Sequence, residues 1–212
     1  TAPGRHIVFR GDDARAGQMV LPAGKRISPL EIGALAALGN AEVSVAARPR
    51  VCVLSTGDEL VDVSQQPMDA QMRDCNGPML TAACERAGAE AHFCGIVADD
   101  EAALLERMRA CAKDCDLLLL SGASSAGAKD AAARCLGALG AVFFHGVAVK
   151  PGKPTFAGRI GETLVVGLPG HPAAAYLMFH ALVRPLLAAL QRETLPHRTF
   201  SARLTSAVPS NH

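Results

Sequence analysis

The chain has 212 residues, half of them apolar, which is enough for one full domain and part of a second. Lys and Arg number 21 against 20 Asp and Glu, and the resulting formal charge of +1 excludes a protein that wraps polyanions. Aromatic side chains make up only 4%, with no Trp, so a base-stacking nucleic-acid surface is excluded too.

No signal-peptide core is read at the N-terminus and no apolar stretch is read as long enough to span a membrane, so the expectation is a soluble cytoplasmic chain. The seven cysteines are odd in number and contain no C-x-x-C pair. Cys111 and Cys115 are spaced C-x3-C, but no second pair completes a ligand set. The cysteines therefore read as small buried hydrophobes in a reducing compartment.

In chain order, residues 1–48 read as a partial flanking domain, punctuated by Gly4, Gly11, Gly17 and Gly24 with Pro3, Pro22 and Pro29. Ser28-Pro29-Leu30-Glu31 predicts a helix start, with a hydroxyl cap, a first-turn proline and a first-turn acid. That helix is expected to end at Gly39-Asn40, and Glu42 to Ala46 alternates like a short strand. From residue 49 the pattern becomes regular. Val51 to Ser55 predicts a strand that ends in the turn Thr56-Gly57-Asp58. Asn76-Gly77-Pro78 opens a helix to Ala87 capped by Gly88, and Ala91 to Val97 is a strand. Asp99-Asp100-Glu101 starts a helix with acids at its positive end. Asp116 to Leu120 is a buried strand, Asp130 to Leu139 a helix, Ala141 to Val149 and Thr163 to Val166 strands, and Pro172 to Leu190 a long helix. Apolar strands alternating with helices predict an α/β fold: a mostly parallel sheet covered on both faces in three αβα layers. Residues 191–212 read as the start of a further β domain.

The polar residues gather where such a sheet binds ligands, at the carboxyl ends of its strands. Ser121 to Gly127 joins a strand to a helix through small residues and hydroxyls, which fits a phosphate or pterin-phosphate cradle, or else a merely tight turn. It is neither GxGxxG nor a Walker loop. Lys150-Pro151-Gly152-Lys153-Pro154 presents two cations from a stiff loop and suits an oxyanion, the alternative being a solvated turn. Gly167-Leu168-Pro169-Gly170-His171-Pro172 is a proline-braced strand-to-helix turn. Asp58, Glu59, Asp99, Asp100 and Asp130 stand beside these loops. They read either as Mg2+ ligands bridging to phosphate oxygens or, for the last three, as helix-start charges.

Taken in order, Ser55-Thr56-Gly57-Asp58-Glu59-Leu60, Asp74-Cys75-Asn76, Gly95 to Asp100, Lys150 to Pro154 and Gly167 to Pro172 resemble the successive signatures of the MoeA family, over about residues 4–190. The resemblance implies a MogA-like molybdopterin-binding fold over residues 49–190. It also implies an enzyme that inserts molybdate into adenylylated molybdopterin and releases AMP with Mg2+, working as a homodimer. Carried over, it implies catalytic roles for Glu59, Asp99 and Asp130, with Asp99 and Asp130 holding Mg2+. It implies substrate contacts from Thr56, Gly57, Asp58, Ser121, Gly122, Ser125, Gly127, Lys150, Lys153, Pro169, Gly170 and Pro172. Four positions depart from the family pattern: Ala123 for a glycine, Ala128 for an acid, His171 for Asn and Ala174 for Ser. The other readings are a MogA-like molybdopterin adenylyltransferase and a non-catalytic molybdopterin-binding module. The partner is a small-molecule pterin in each case, with neither nucleic acid nor membrane.

Overall fold

A computed structural model describes residues 6–122, 126–195, 201–203 and 205–206, with 126–130 described by backbone alone. Helix α1 (Pro29–Ala37) starts where the sequence placed it. Ser28 caps it, and the Glu31 carboxylate reaches back to accept from the Ser28 N–H at 2.9 Å while Lys25 pairs with it at 2.7 Å. Lys25, then Ser28, hold the Glu31 carboxyl down at about 2. No residue from 6 to 48 is buried, and Glu42 to Ala46 forms no strand, contrary to the sequence pattern. Alternation alone does not make a strand; a pairing edge is needed, and none accompanies these residues.

The rest is built on strands β1 (Arg50–Thr56), β4 (Glu90–Val97), β5 (Leu117–Ser121), β6 (Ala141–His145), β7 (Phe156–Ile160) and β8 (Thr163–Leu168). They form one sheet in the order β4-β1-β5-β8-β7-β6. Its first four members are parallel, while β7 runs antiparallel to both neighbours. A separate two-stranded ladder joins β2 (Leu60–Val61) to β3 (Met72–Arg73).

Alternate side chains leave a strand on opposite faces, and here each face has its own core. Val51, Val53, Leu117, Leu119, Val166 and Leu168 pack with Leu80 and Cys84 of α2 (Asn76–Arg86) and with the C-terminal helix. Cys52, Leu54, Leu118, Leu120 and Val165 pack instead with Leu104 and Met108 of α3 (Glu101–Cys111) and with Leu136 of α4 (Ala126–Leu139). The three αβα layers expected from the sequence are present. The antiparallel hairpin β7–β8 was not foreseen, and β6 ends at His145 rather than at Val149. Gly158 in β7 reads as a breaker in sequence, but the strand needs it. A methyl there would strike the Ala141 carbonyl of the neighbouring strand.

The C-terminal helix comprises α5 (Pro172–Met178), a π-helical turn (Phe179–Val183) and α6 (Arg184–Leu190). Its 19 residues are long and apolar enough to cross a membrane by length and composition, which the sequence reading had excluded. In the fold they cover the sheet instead, with Ala175, Met178, Phe179, Val183 and Leu187 buried in the core of one face.

Candidate functional site

The strand order brings the loops together. β1 leads into α2 on one face, whereas β5 leads into α4 on the other, so the crevice between their carboxyl ends is the switch point of the sheet. Ser55 and Ser121 sit side by side there in register. Gly122, at φ 113°, lies so close to Thr56 that a side chain would overlap its carbonyl. Because β7 reverses direction, the 146–155 connection between β6 and β7 returns to the same end, where β5 and β8 finish at Ser121 and Leu168. The loops at 56–59, 97–99, 121–122, 146–155 and 167–172 therefore share one end of the sheet.

On the β1 side the acids converge. Gly57 donates to the Val97 carbonyl at 3.2 Å, which binds the two turns together. Asp58 Oδ1 accepts from the Asp99 N–H at 2.9 Å. The Glu59 carboxylate folds back over Gly57, where a Cβ would meet its Oε2 at 2.7 Å. Desolvation first, then repulsion from Asp58 and Glu59, raises the Asp99 carboxyl above its ordinary range. A cavity of about 400 Å³ lined by Gly57, Asp58, Phe93, Gly95 and Ala98 adjoins this cluster. A depression of about 440 Å³ lies at the opposite end of the sheet, among Arg50, Arg109, Asp116 and Glu162, and none of the predicted site residues lines it.

Beneath the crevice lie Ser121, which the resemblance had placed among the substrate contacts, and Ser55, Asp74 and Asn76, to which sequence reasoning gave no role. Asp74 Oδ1 accepts from the N–H groups of Asn76 and Gly77 at 3.0 and 3.2 Å and so caps α2. Asn76 Nδ2 donates to the Gly170 carbonyl at 2.7 Å, which ties the proline-braced turn to that helix. Ser55 Oγ, Asp74 Oδ2, Asn76 Oδ1 and Ser121 Oγ are all buried without a hydrogen-bond partner among the described residues. Buried polar atoms are almost always satisfied, so four orphans at one end of a sheet point to a ligand. The sequence signal for Asp74 and Asn76 was the Asp74-Cys75-Asn76 segment, which matched the family pattern without a physical reason of its own; Ser55 and Ser121 open the Ser55–Leu60 and Ser121–Gly127 segments.

Lys150 and Lys153 are exposed on the 146–155 connection. Its backbone is fixed by Val147 donating to the Lys153 carbonyl at 2.9 Å and by Thr155 Oγ1 donating to that of Gly152 at 2.7 Å. Gly152 is buried against Met178 of α5. Pro169 is buried, Gly170 and Pro172 are half-buried, and Pro172 is the first residue of α5. Ser125 lies outside the described residues, as does Ala123. Gly127 and Asp130 fall in the first turns of α4, where only the backbone is described. That helix begins at Ala126, earlier than the sequence suggested.

Three αβα layers with clustered acids at the switch point of the sheet, and a lysine loop farther along the same sheet end, define an α/β domain with its polar loops gathered at the carboxyl ends of the strands. The family model described as a probable molybdopterin binding domain matches residues 52–189, and the chain belongs to that family. The model of the MoeA N-terminal region (domain I and II) matches residues 1–39. Molybdopterin molybdenumtransferase 2 of Mycobacterium tuberculosis is 40% identical over 220 residues, covering 98% of this chain and 53% of the relative. The molybdopterin molybdenumtransferase of Haemophilus influenzae is 36% identical, covering 89% and 47%. A molybdopterin biosynthesis MoeA protein from Pyrococcus horikoshii superposes with a TM-score of 0.79 at 34% identity, over 87% of this chain and 46% of that one. The chain thus spans about half the length of the curated relatives it matches.

Proposed function

We propose that the chain carries the molybdopterin-binding part of a transferase of molybdenum cofactor biosynthesis. This enzyme inserts molybdate into adenylylated molybdopterin and releases AMP. The observation that carries the reading is the set of four buried, unpartnered polar atoms under the five loops. Ser55, Ser121 and the Gly122 backbone would hold the phosphate part of the substrate together with Thr56, and the family resemblance adds Ser125 and Gly127 to these contacts. Lys150 and Lys153 attract oxyanions, molybdate among them. Pro169, Gly170 and Pro172, held by Asn76, form a wall that keeps the pterin in one pose.

Asp58, Glu59 and Asp99 supply the hard oxygen donors that Mg2+ prefers, and the raised Asp99 carboxyl fits a cluster short of positive charge. They would hold Mg2+ with Asp130, and the ion supplies charge neutralisation at the pyrophosphate. Glu59 would orient water at the bond to be cut. The match of residues 1–39 to the MoeA N-terminal region favours insertion over adenylyl transfer. With the match over 52–189 it is in keeping with a flanking segment to residue 48 ahead of a binding domain over 49–190, to which the reading adds a further piece from 191. A cytoplasmic homodimer completes the reading, in keeping with the exposed apolar side chains of the flanking segment.

Calorimetric titration with adenylylated molybdopterin, with and without Mg2+, tests it. Binding should be Mg2+-dependent. Lys153→Ala should weaken it by about ten-fold or more, the scale of one hydrogen bond to a charged group. Lys153 is exposed, so the variant keeps its fold. Equal affinity of the parent and Lys153→Ala would remove the lysine loop from the site. No binding by the folded chain would remove the reading.

A further inference from the structure

A second cluster lies in the other half of the molecule. Cys52 comes from β1, Cys94 from β4 and Cys111 from the last turn of α3. Their Sγ atoms all lie within 4.8 Å of one another. Cys115, in the turn between α3 and β5, contacts the Cys52 thiol and points its own Sγ at the Cys111 carbonyl, 3.2 Å away. All are free thiols. The sequence gave no ligand set because the four are scattered; parallel pairing of β1 with β4 and the packing of α3 across them bring the set together.

The chemistry of the cluster is that of a soft-metal site. Sulfur atoms around Zn2+ stand roughly 3.8 Å apart when each bond is about 2.3 Å, so small rotations of these side chains close the shell. Cys52, Cys111 and Cys115 are buried at 4–7% exposure, whereas Cys94 is half-buried and gives a route of entry. The thiols of Cys111 and Cys52, aided by Arg107 and His92, favour the Cys94 thiolate. The same contacts, from Cys52 and then Cys94, push the Cys111 thiol up. The Arg107 guanidinium also donates to the Cys94 carbonyl, placing a fixed positive charge beside a set of donors that turns negative on binding. The cluster lies toward the amino end of β1. Cys52 stands four residues, roughly 13 Å, before Thr56 along β1, and the cluster lies on the sheet face that packs against α3, opposite α2.

We propose that Cys52, Cys94 and Cys111, with Cys115 as a fourth donor, bind a soft d10 cation, Zn2+ or Cu+. Each ligating thiol passes its proton to the buffer, and no electron is transferred. The site would clamp β1, β4 and α3 on the face of the sheet opposite α2. Four donors suit tetrahedral Zn2+; three suit Cu+.

The test is titration of the full, reduced chain with Zn2+, with Cd2+ as its spectroscopic substitute, and with Cu+ under argon, each against a competing chelator. One equivalent should bind, with a sulfur-to-cadmium charge-transfer band and a raised melting temperature. Cys94→Ala and Cys52→Ala should each weaken binding at least ten-fold. Cys84→Ala, on the other face, and Cys75→Ala, at the surface, should not. Cys115→Ala separates the cations: a Zn2+ site loses affinity, a three-thiolate Cu+ site keeps it. Circular dichroism checks that each variant is folded, and half-buried Cys94 offers the milder Cys94→Ser. The proposal is overturned if neither cation binds stoichiometrically. Binding unchanged in both Cys94→Ala and Cys94→Ser also overturns it, as does a chain that takes up no metal and instead forms a Cys52–Cys94 disulfide in air.

Discussion

Asp99 shows how one residue carries a cost that a ligand removes. Its carboxyl is exposed on one side but desolvated on the other and faces Asp58 and Glu59, so its native pKa is raised. The native state then keeps the proton at pH values where the unfolded chain has lost it. Stability therefore falls as pH rises from the ordinary Asp range through the raised native value, and levels off above it. Asp99→Asn should abolish that slope and make the metal-free chain more stable at neutral pH. It should also blunt any stabilisation by Mg2+. Urea midpoints of the parent and of Asp99→Asn, measured side by side from acid to neutral pH with and without Mg2+, check this; a difference between the two that does not grow as pH rises contradicts it. Gly122 is the opposite case, a residue whose lack of a side chain is the requirement.

At the scale of elements, what was legible depended on how local the cause was. Helix α1 could be read because Ser28, Pro29 and Glu31 satisfy its end within one turn. β5 could be read because Leu117 to Leu120 is an unbroken apolar run with buried side chains on both faces. β7 could not, because its two outward-reading residues and Gly158 make sense only against β6 and β8. The π-helical turn at Phe179 has no sequence mark at all. Non-local hydrogen bonds follow the same rule. Thr163, the first residue of β8, shares its hydroxyl between the carbonyls of Ala112 and Cys115, at 2.6 and 2.9 Å, and so ties the end of α3 to the sheet. Thr163→Val keeps the shape and leaves those carbonyls unpaired. It should cost about 1–2 kcal/mol in chemical denaturation, and a change near zero would mean that water replaces the bond.

At the scale of the molecule, the two cores belong to residues after 49, and the segment before them is held at few points. Arg26 donates to the Ala87 carbonyl at 3.3 Å and pairs with Glu193 at 3.3 Å, and Thr194 donates to Gly24 at 3.2 Å. Ile7, Val8, Phe9, Met19 and Leu30 stay exposed. Few buried contacts mean easy local opening. Limited trypsin digestion should cut first at the exposed sites Arg10, Arg15, Lys25 and Arg26, leaving a resistant piece from about Ile27, since Pro49 protects the bond after Arg48. Early cuts within the sheet would contradict this. The general location of the candidate site was legible, because strand ends are where polar loops collect. Of its floor only Ser121 was; Asp74, Asn76 and Ser55 acquire meaning only when burial leaves them short of partners among the described residues.

The strand order also acts as a ruler. The acidic turn ends β1, and the lysine loop begins at β6 and returns through β7, three places along the sheet from β1. Strands stand about 4.8 Å apart, so the ends of β1 and β7 are separated by roughly 14 Å. On the proposed reading, a free tetrahedral oxyanion at the lysine loop would sit far from the acidic turn. A ligand as long as a pterin joined to a nucleotide would be able to touch both. The width of the sheet would then sort ligands by length, before any single contact sorts them by chemistry.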